Sequence, residues 1–294
     1  MNTLYWGTGN PAPDWNGDAR KGDNLYSCSL LAVDADTGKM KWYFQFTPHE
    51  THDWDAAEPP ILFDAVINGK KRKIVAQADR NAFYLSLIHI FDRETGEFIT
   101  GVPFAKQTWA KGLDAKGRPI KMAAELIEPS AEGTLVYPTL TGAINWTSPC
   151  YSPITGLFYV NARDGGAYYV KGERKFEKNN SNGVVGGGGG GMRPGPADET
   201  TTSIRALDGV TGVKKWEYKM VGDSWTGTLV TAGGLVFSAD AAGNFFALNA
   251  DTGEPLWHLL LGSSVRSNPV SYAVDGKQYV VDSAGNTLFV FSLP

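Results

Sequence analysis

The sequence is poor in cysteine, in histidine and in long apolar runs, and no charge of one sign dominates it. Only Cys28 and Cys150 occur among 294 residues, too few and too far apart for a disulfide framework or a Cys-x-x-Cys metal site. Both read as buried strand residues. No apolar stretch approaches the ~20 residues that a helix needs to cross a bilayer, so no membrane span is expected. The first residues, Met1-Asn2-Thr3-Leu4-Tyr5-Trp6-Gly7, lack the basic and apolar regions of an export signal. Leu4-Tyr5-Trp6 reads instead as a strand entering a motif, so Met1 is not expected to be the natural beginning. The net charge is -4 and the longest basic run is the four residues Lys70-Lys71-Arg72-Lys73. That leaves no electrostatic footprint for a polyanion and excludes nucleic acid as an expected partner.

What is abundant points one way. The chain has 35 glycines, 16 prolines, 9 tryptophans and 12 tyrosines, a composition of short strands broken by tight turns. One phrase recurs. Ala32-Val33-Asp34-Ala35-Asp36-Thr37-Gly38 is followed by Trp42, Ala206-Leu207-Asp208-Gly209-Val210-Thr211-Gly212 by Trp216, and Ala247-Leu248-Asn249-Ala250-Asp251-Thr252-Gly253 by Trp257. A fourth copy, Asp92-Arg93-Glu94-Thr95-Gly96, has Thr100 where the Trp would fall. Each copy is a hairpin: an apolar strand, an Asp/Asn-initiated turn closed by Thr-Gly, and a second strand whose Trp can pack onto a neighbouring unit. Repeated β-hairpins of this kind imply an all-β propeller of four-stranded blades. The segment 146–170, with Tyr151-Ser152-Pro153-Ile154-Thr155-Gly156, fits a blade without the full signature, giving four to five blades in all.

Two stretches read differently. Residues 179–198 include six consecutive glycines, Gly186 to Gly191, and read as a mobile excursion from a single 1–294 propeller domain. A phosphate-cradling loop is excluded there, because no Lys-Ser/Thr follows and no strand-to-helix context surrounds it. Leu85-Ser86-Leu87-Ile88-His89-Ile90-Phe91 makes the strand before Asp92 longer than its counterparts and reads as an insertion.

Candidate chemistry lies in residues that blade packing does not require. In Gly7-Thr8-Gly9-Asn10-Pro11-Ala12-Pro13 the glycines release a strand and Pro11 holds Asn10 extended, so that its amide oxygen can serve a hard cation. In Thr51-His52-Asp53-Trp54-Asp55-Ala56-Ala57-Glu58-Pro59-Pro60, three carboxylates beside a Trp suit a calcium ligand or general base. A polar, Asx- and Pro-capped turn is the plainer account of either loop taken singly.

Together, and in this order with the Thr-Gly-Trp repeats, these strings resemble the methanol/ethanol family of pyrroloquinoline-quinone (PQQ) dependent alcohol dehydrogenases, from Leu4 to Pro294. The resemblance implies about half of an eight-bladed propeller that would oxidise a primary alcohol by hydride transfer to calcium-bound PQQ. It makes Asn10 a calcium ligand, Asp55 both catalytic base and metal ligand, and Arg80, in Asp79-Arg80-Asn81, a fork onto the quinone oxygens. Asn145, in Gly142-Ala143-Ile144-Asn145-Trp146, becomes a further PQQ contact. Trp225, in Asp223-Ser224-Trp225-Thr226-Gly227-Thr228, becomes either an aromatic near the cofactor or an ordinary core Trp. Lanthanide-dependent members carry an Asp two positions after the catalytic one, and Ala57 stands there, so calcium is the metal expected. The family's other metal ligand, a Glu, and the Trp on which the quinone stacks lie upstream of the Asn-Pro-Ala-Pro motif, so this chain alone is expected to be inactive. The full-length protein is expected in the periplasm, with a small alcohol as substrate and a c-type cytochrome as electron acceptor. A non-catalytic propeller scaffold for protein partners is the alternative.

Overall fold

The computed structural model describes residues 2–83, 90–101, 103–172 and 190–292. The stretch read as an insertion, up to residue 89, lies outside the described residues, as do residues 179–189 of the Gly-rich excursion. Among the described residues helix is confined to Ala124–Ile127 and to two short turns, Gly17–Ala19 and Ala197–Glu199; the rest of the regular structure is strand. No helix is long and apolar enough to cross a membrane.

The chain divides into two units, residues 1–145 with 164–200, and residues 146–163 with 201–294. In the first unit Thr3–Gly7, Ser29–Asp34 and Met40–Gln45 form a three-stranded sheet, and Ile61–Ile67, Lys70–Ala76, Ile90–Asp92 and Phe98–Thr100 a four-stranded one. In the second unit Cys150–Ser152, Leu157–Asp164, Thr201–Asp208 and Lys214–Lys219 form one four-stranded sheet, and Leu229–Val230, Leu235–Ala239, Asn244–Asn249 and Pro255–Leu260 another. Val270–Val274, Lys277–Ala284 and Thr287–Ser292 complete that unit. Four of these sheets are antiparallel meanders, and in the sheet begun by Cys150–Ser152 both hairpins are antiparallel while residues 165–200 run between its second and third strands, the pattern of propeller blades with one long excursion.

Sequence dictates each blade through its turn. The side-chain oxygen of Asp34 accepts from the backbone N–H groups of Asp36 (3.2 Å) and Thr37 (3.0 Å), and Gly38 N donates to Asp34 O at 2.9 Å with φ +70°. Asp92, Asp208 and Asn249 repeat the same bonds. Ser152 does so too, its Oγ accepting from Ile154 N and Thr155 N, so the segment without the full signature carries a fifth copy of the turn. Among the strands feeding these turns, Thr201–Asp208 is buried at all but its first and last residues, as expected of a strand stacked between neighbours.

Two of the three recurrent Trp residues, Trp42 and Trp216, pack on a turn glycine, whereas Trp257 is 41% exposed and lies against Phe245 and Phe291. A Cβ built on Gly96 would lie 2.7 Å from the Trp42 ring, and one on Gly253 would lie 2.5 Å from the Trp216 ring. Each indole therefore rests on the bare turn glycine of the following blade. Tyr5 and Trp42, and likewise Tyr159 and Trp216, meet with ring centroids 5.7 Å apart. Ala250 O accepts from both Tyr159 Oη (3.0 Å) and Trp216 Nε1 (3.0 Å), whereas Arg93 O accepts from Tyr5 Oη (2.7 Å) and Trp42 Nε1 has no partner among the described residues.

Two details depart from the sequence reading. Cys28 is buried, but it precedes its strand and sits in the left-handed region at φ +45°; Cys150 begins a strand and is half-buried. In the described part of the Gly-rich excursion, Gly191–Pro194 is a strand antiparallel to Ala167–Val170. Its pairing and the Met192 side chain, which packs against the Trp54, Trp109 and Tyr169 core, supply the burial that a glycine run alone cannot.

Candidate functional site

The site grows from the two motif loops of the first unit. The loop after Thr3–Gly7 runs against the loop between Met40–Gln45 and Ile61–Ile67, and the contact is close. Ala56 N donates to Thr8 O at 3.0 Å, and a Cβ on Gly7 would meet Ala56 O at 1.7 Å. Only glycine fits there, and the approach presents the next residues to Asp55. Asn10 N donates to Asp55 Oδ1 at 2.7 Å, and Asn10 Nδ2 to Asp14 Oδ1 at 3.0 Å.

The acidic loop is held from beneath. Glu50, fully buried, accepts from His52 N and from Asp53 N (3.1 Å); burial would raise its carboxyl, but the hydrogen bonds and charge of His52 outweigh it and hold Glu50 below its ordinary value. His52 donates from Nε2 to Ile127 O at 2.7 Å and stacks on Trp54 at 4.3 Å between ring centroids. Trp54, with no exposed surface, donates Nε1 to Thr139 O at 3.0 Å. Asp53 takes φ +65°, a conformation unusual outside glycine that turns the chain between two anchored aromatics.

Arg80 enters from the end of Lys70–Ala76. Its Nη1 donates to Asp55 Oδ2 at 2.6 Å, its Nη2 donates to Leu140 O, and Asp53 Oδ2 lies 3.6 Å away. Burial would lower the Arg80 guanidinium, but Glu58, Asp53 and Asp55 together hold it above its ordinary value. Asn81 anchors the segment: its side chain donates to Thr47 Oγ1 at 3.0 Å and accepts from Phe83 N, and its carbonyl accepts Trp109 Nε1 at 2.8 Å. Gly142, at φ +76°, lets the loop 139–145 close on Arg80, where a Cβ would sit 2.6 Å from Arg80 Cβ. Ala143 N donates to Arg80 O at 2.9 Å, and Asn145 closes the same loop by donating Nδ2 to Thr141 O at 3.0 Å.

The structure thus brings Asn10, Asp55 and Arg80 into one hydrogen-bonded set and places Asn145 on a loop packed against Arg80. Trp225 belongs to the second unit, half-buried, with its Nε1 donating to Asp223 Oδ2 at 2.9 Å.

Sequence reading gave no individual role to three acids. Asp14, four residues after Asn10 in the same loop, is buried beside it. Glu58 and Asp79 are buried completely, and burial holds both well above the ordinary carboxylate range, Asp79 adding to the shift of Glu58 and Asp55 to that of both. Asp53 is pushed up to about 7 by burial first, then by Asp55, Glu50 and Asp14, against the pull of Arg80. A crowd of hard oxygen donors that repel one another fits a divalent cation such as calcium. Among the described residues, however, no group of three or more His, Cys, Asp or Glu side chains forms a metal site unaided.

Residues 1–107 and 223–280 match the family model described as "PQQ: glucose/ethanol/alcohol dehydrogenase, beta-propeller domain", which is more than half of the chain. The chain belongs to this family. Among relatives, the quinoprotein alcohol dehydrogenase PedH of Pseudomonas putida is 40% identical over 285 residues, 95% of this chain and 46% of that protein. The solved quinohemoprotein alcohol dehydrogenase ADHIIG of Pseudomonas putida superposes with a TM-score of 0.87 at 37% identity, covering 98% of this chain and 43% of that one. A europium-containing methanol dehydrogenase superposes with a TM-score of 0.83 at 32% identity, covering 96% and 48%. The fold is therefore a partial quinoprotein β-propeller, and the chain spans about half the length of the relatives it matches.

Proposed function

We propose that, at the full length of its relatives, this protein oxidises a primary alcohol to an aldehyde in the periplasm and passes the electrons to a c-type cytochrome. The observation that carries this reading is the bonding of Asp55 through both carboxylate oxygens, to Asn10 N on one side and to Arg80 Nη1 on the other. Three chain segments converge on one acid, an arrangement that a protein-binding scaffold does not need.

Asn10 and Asp55 would hold the calcium, and Arg80 and Asn145 would contact the quinone; Trp225 enters this reading through the resemblance alone. When bound, the quinone supplies the hydride acceptor and calcium a Lewis acid beside it. Asp55 takes the hydroxyl proton of the alcohol onto a carboxylate oxygen. Arg80, already donating to Asp55 Oδ2, orients that carboxylate and shares its fork with whatever oxygen is seated beside it. Asn10 fixes the other oxygen through its backbone N–H. Asn10 and Asp55 supply only part of the ~6–8 oxygens that calcium takes, so the chain by itself is expected to be inactive.

Asp55→Asn in the full-length enzyme tests the base. Dye-linked alcohol oxidation is expected to fall by about 10²–10⁴-fold with an unchanged circular dichroism spectrum, and near-wild-type turnover would overturn the assignment. The metal is tested separately. One solved relative contains europium, whereas here position 57 is an exposed alanine, so calcium should activate the unmodified enzyme and lanthanum alone should not. Ala57→Asp should shift the preference toward lanthanides, since trivalent ions favour more negative ligand charge.

A further inference from the structure

Within the second unit, an arginine that neither the repeats nor the motifs singled out is built into the surroundings of Trp225. Arg163 is 5% exposed and lies on Leu157–Asp164. Its guanidinium carbon stands 4.5 Å from the centroid of the Trp225 ring. Its Nε donates to Asp223 Oδ1 at 2.6 Å, and the other oxygen of the same carboxylate, Oδ2, accepts from Trp225 Nε1 at 2.9 Å. Arg163 Nη2 donates to Ser224 O, and Nη1 has no hydrogen-bond partner among the described residues. Asn161, two residues earlier on the same strand face, donates Nδ2 to Ser224 Oγ (3.0 Å) and Thr226 O (2.8 Å), fixing the backbone on both sides of Trp225. Trp146, 43% exposed, lies with its ring centroid 6.2 Å from that of Trp225 at an interplanar angle of 31°.

A half-exposed indole on a loop ordinarily has two free torsions. Here the Asp223 carboxylate ties its Nε1, and the cation that the same carboxylate holds lies against its ring, so tilting the ring breaks a hydrogen bond and a cation–π contact together. This closed Arg163–Asp223–Trp225 arrangement costs the burial of a guanidinium with one N–H group unsatisfied. Core packing alone would be served better by an apolar residue at 163.

We infer that Arg163 is a positioning residue that, through Asp223, fixes the plane of the Trp225 ring for contact with a flat aromatic ligand. The inference rests on the assignment of Trp225 as a cofactor contact. Arg163 itself touches no ligand.

Acrylamide quenching of tryptophan fluorescence and near-ultraviolet circular dichroism, recorded on the chain, test the clamp. Trp225→Phe defines the Trp225 contribution by difference. Arg163→Met is expected to raise the quenching of that component about twofold and to flatten the dichroism of the Trp146–Trp225 pair, because a ring that has lost its cation–π contact samples more orientations. Arg163→Lys, which keeps the charge and loses the fork, should fall between and serves if the Met variant fails to fold. A Trp225 signal unchanged in both variants overturns the clamp. In the full-length enzyme, titration with PQQ followed by absorbance links clamp to function: Trp225→Phe and Arg163→Met should both weaken binding, by about tenfold and about threefold. If Trp225→Phe binds normally, the cofactor assignment fails while the quenching result still stands. If Trp225→Phe weakens binding and Arg163→Met does not, the positioning role is overturned.

Discussion

Asp282 lies on Lys277–Ala284 with only 3% of its surface exposed. Its Oδ1 accepts from Ser267 Oγ and from Ser283 N (2.8 Å), and its Oδ2 has no partner among the described residues. Burial raises its carboxyl from 3.8 to about 6, against those two hydrogen bonds. The folded chain then holds this proton to a higher pH than the unfolded chain does, so the stability it contributes is complete below the unfolded value and is lost as pH rises toward the folded one. Urea midpoints should fall between about pH 4 and 6 by an amount equivalent to at most ~3 kcal/mol. Asp282→Asn should flatten that slope, and an unchanged slope would show that other groups govern the window. The same physics marks what sequence could reveal at the site. Asn10 and Asp55 stood out in the sequence because their two loops, taken together, are unusual for turns, and Arg80 stood out only through the family resemblance; the structure brings the three side chains' segments together. Glu58 and Asp79 stand in the same two strings, but nothing in a sequence says that a carboxylate is fully buried, since that depends on which loops close over it.

At the level of the hairpin, the phrase Asp/Asn-x-x-Thr-Gly specifies turn, bulge and packing together. The ladder slips by one residue between Ala32 and Val33, Ala206 and Leu207, and Ala247 and Leu248, just before each turn, which increases local twist. Gly38 and Gly253 share the phrase and nearly the same φ, +70° and +74°, yet a Cβ at Gly38 meets nothing within 4 Å whereas one at Gly253 meets Trp216 at 2.5 Å. Gly38→Ala should therefore cost only the left-handed strain, about 1–2 kcal/mol. Gly253→Ala adds overpacking of the indole, a further ~1–3 kcal/mol. Urea unfolding of the two variants separates the terms, and equal losses would mean that Trp216 moves aside freely. The turns were legible because their chemistry is local. The three-stranded sheet of Thr134–Val136, Ala167–Val170 and Gly191–Pro194 was not, because its strands are short, far apart in sequence and marked by no repeated turn.

Across the whole molecule, the strands nearest the end of the second unit are apolar and open to solvent. Leu256, Trp257, Leu259 and Leu260 are 41–62% exposed, and Val270, Tyr272, Val274, Leu288 and Val290 are 42–67% exposed. Contiguous apolar surface on strands drives association, so sedimentation velocity should show self-association that grows with concentration. Leu260→Lys with Leu288→Lys should reduce it, and a monomer at all concentrations would exclude these strands as the cause. The propeller class could be read from three Trp repeats, whereas the extent of exposed blade surface could not, because an exposed and a covered blade have the same alternation of residues. The repeats also bear on how such a chain diverges. What Trp42 and Trp216 share is the bare glycine each rests on, not a hydrogen bond, because only Trp216 has an acceptor for its indole N–H. The Asp92 copy has Thr100 in place of the Trp. Duplicated blades held by such pairs are free to drift only two positions at a time. Once the indole is gone its glycine is released to mutate, and descendants of one ancestral hairpin should lose the two as a unit.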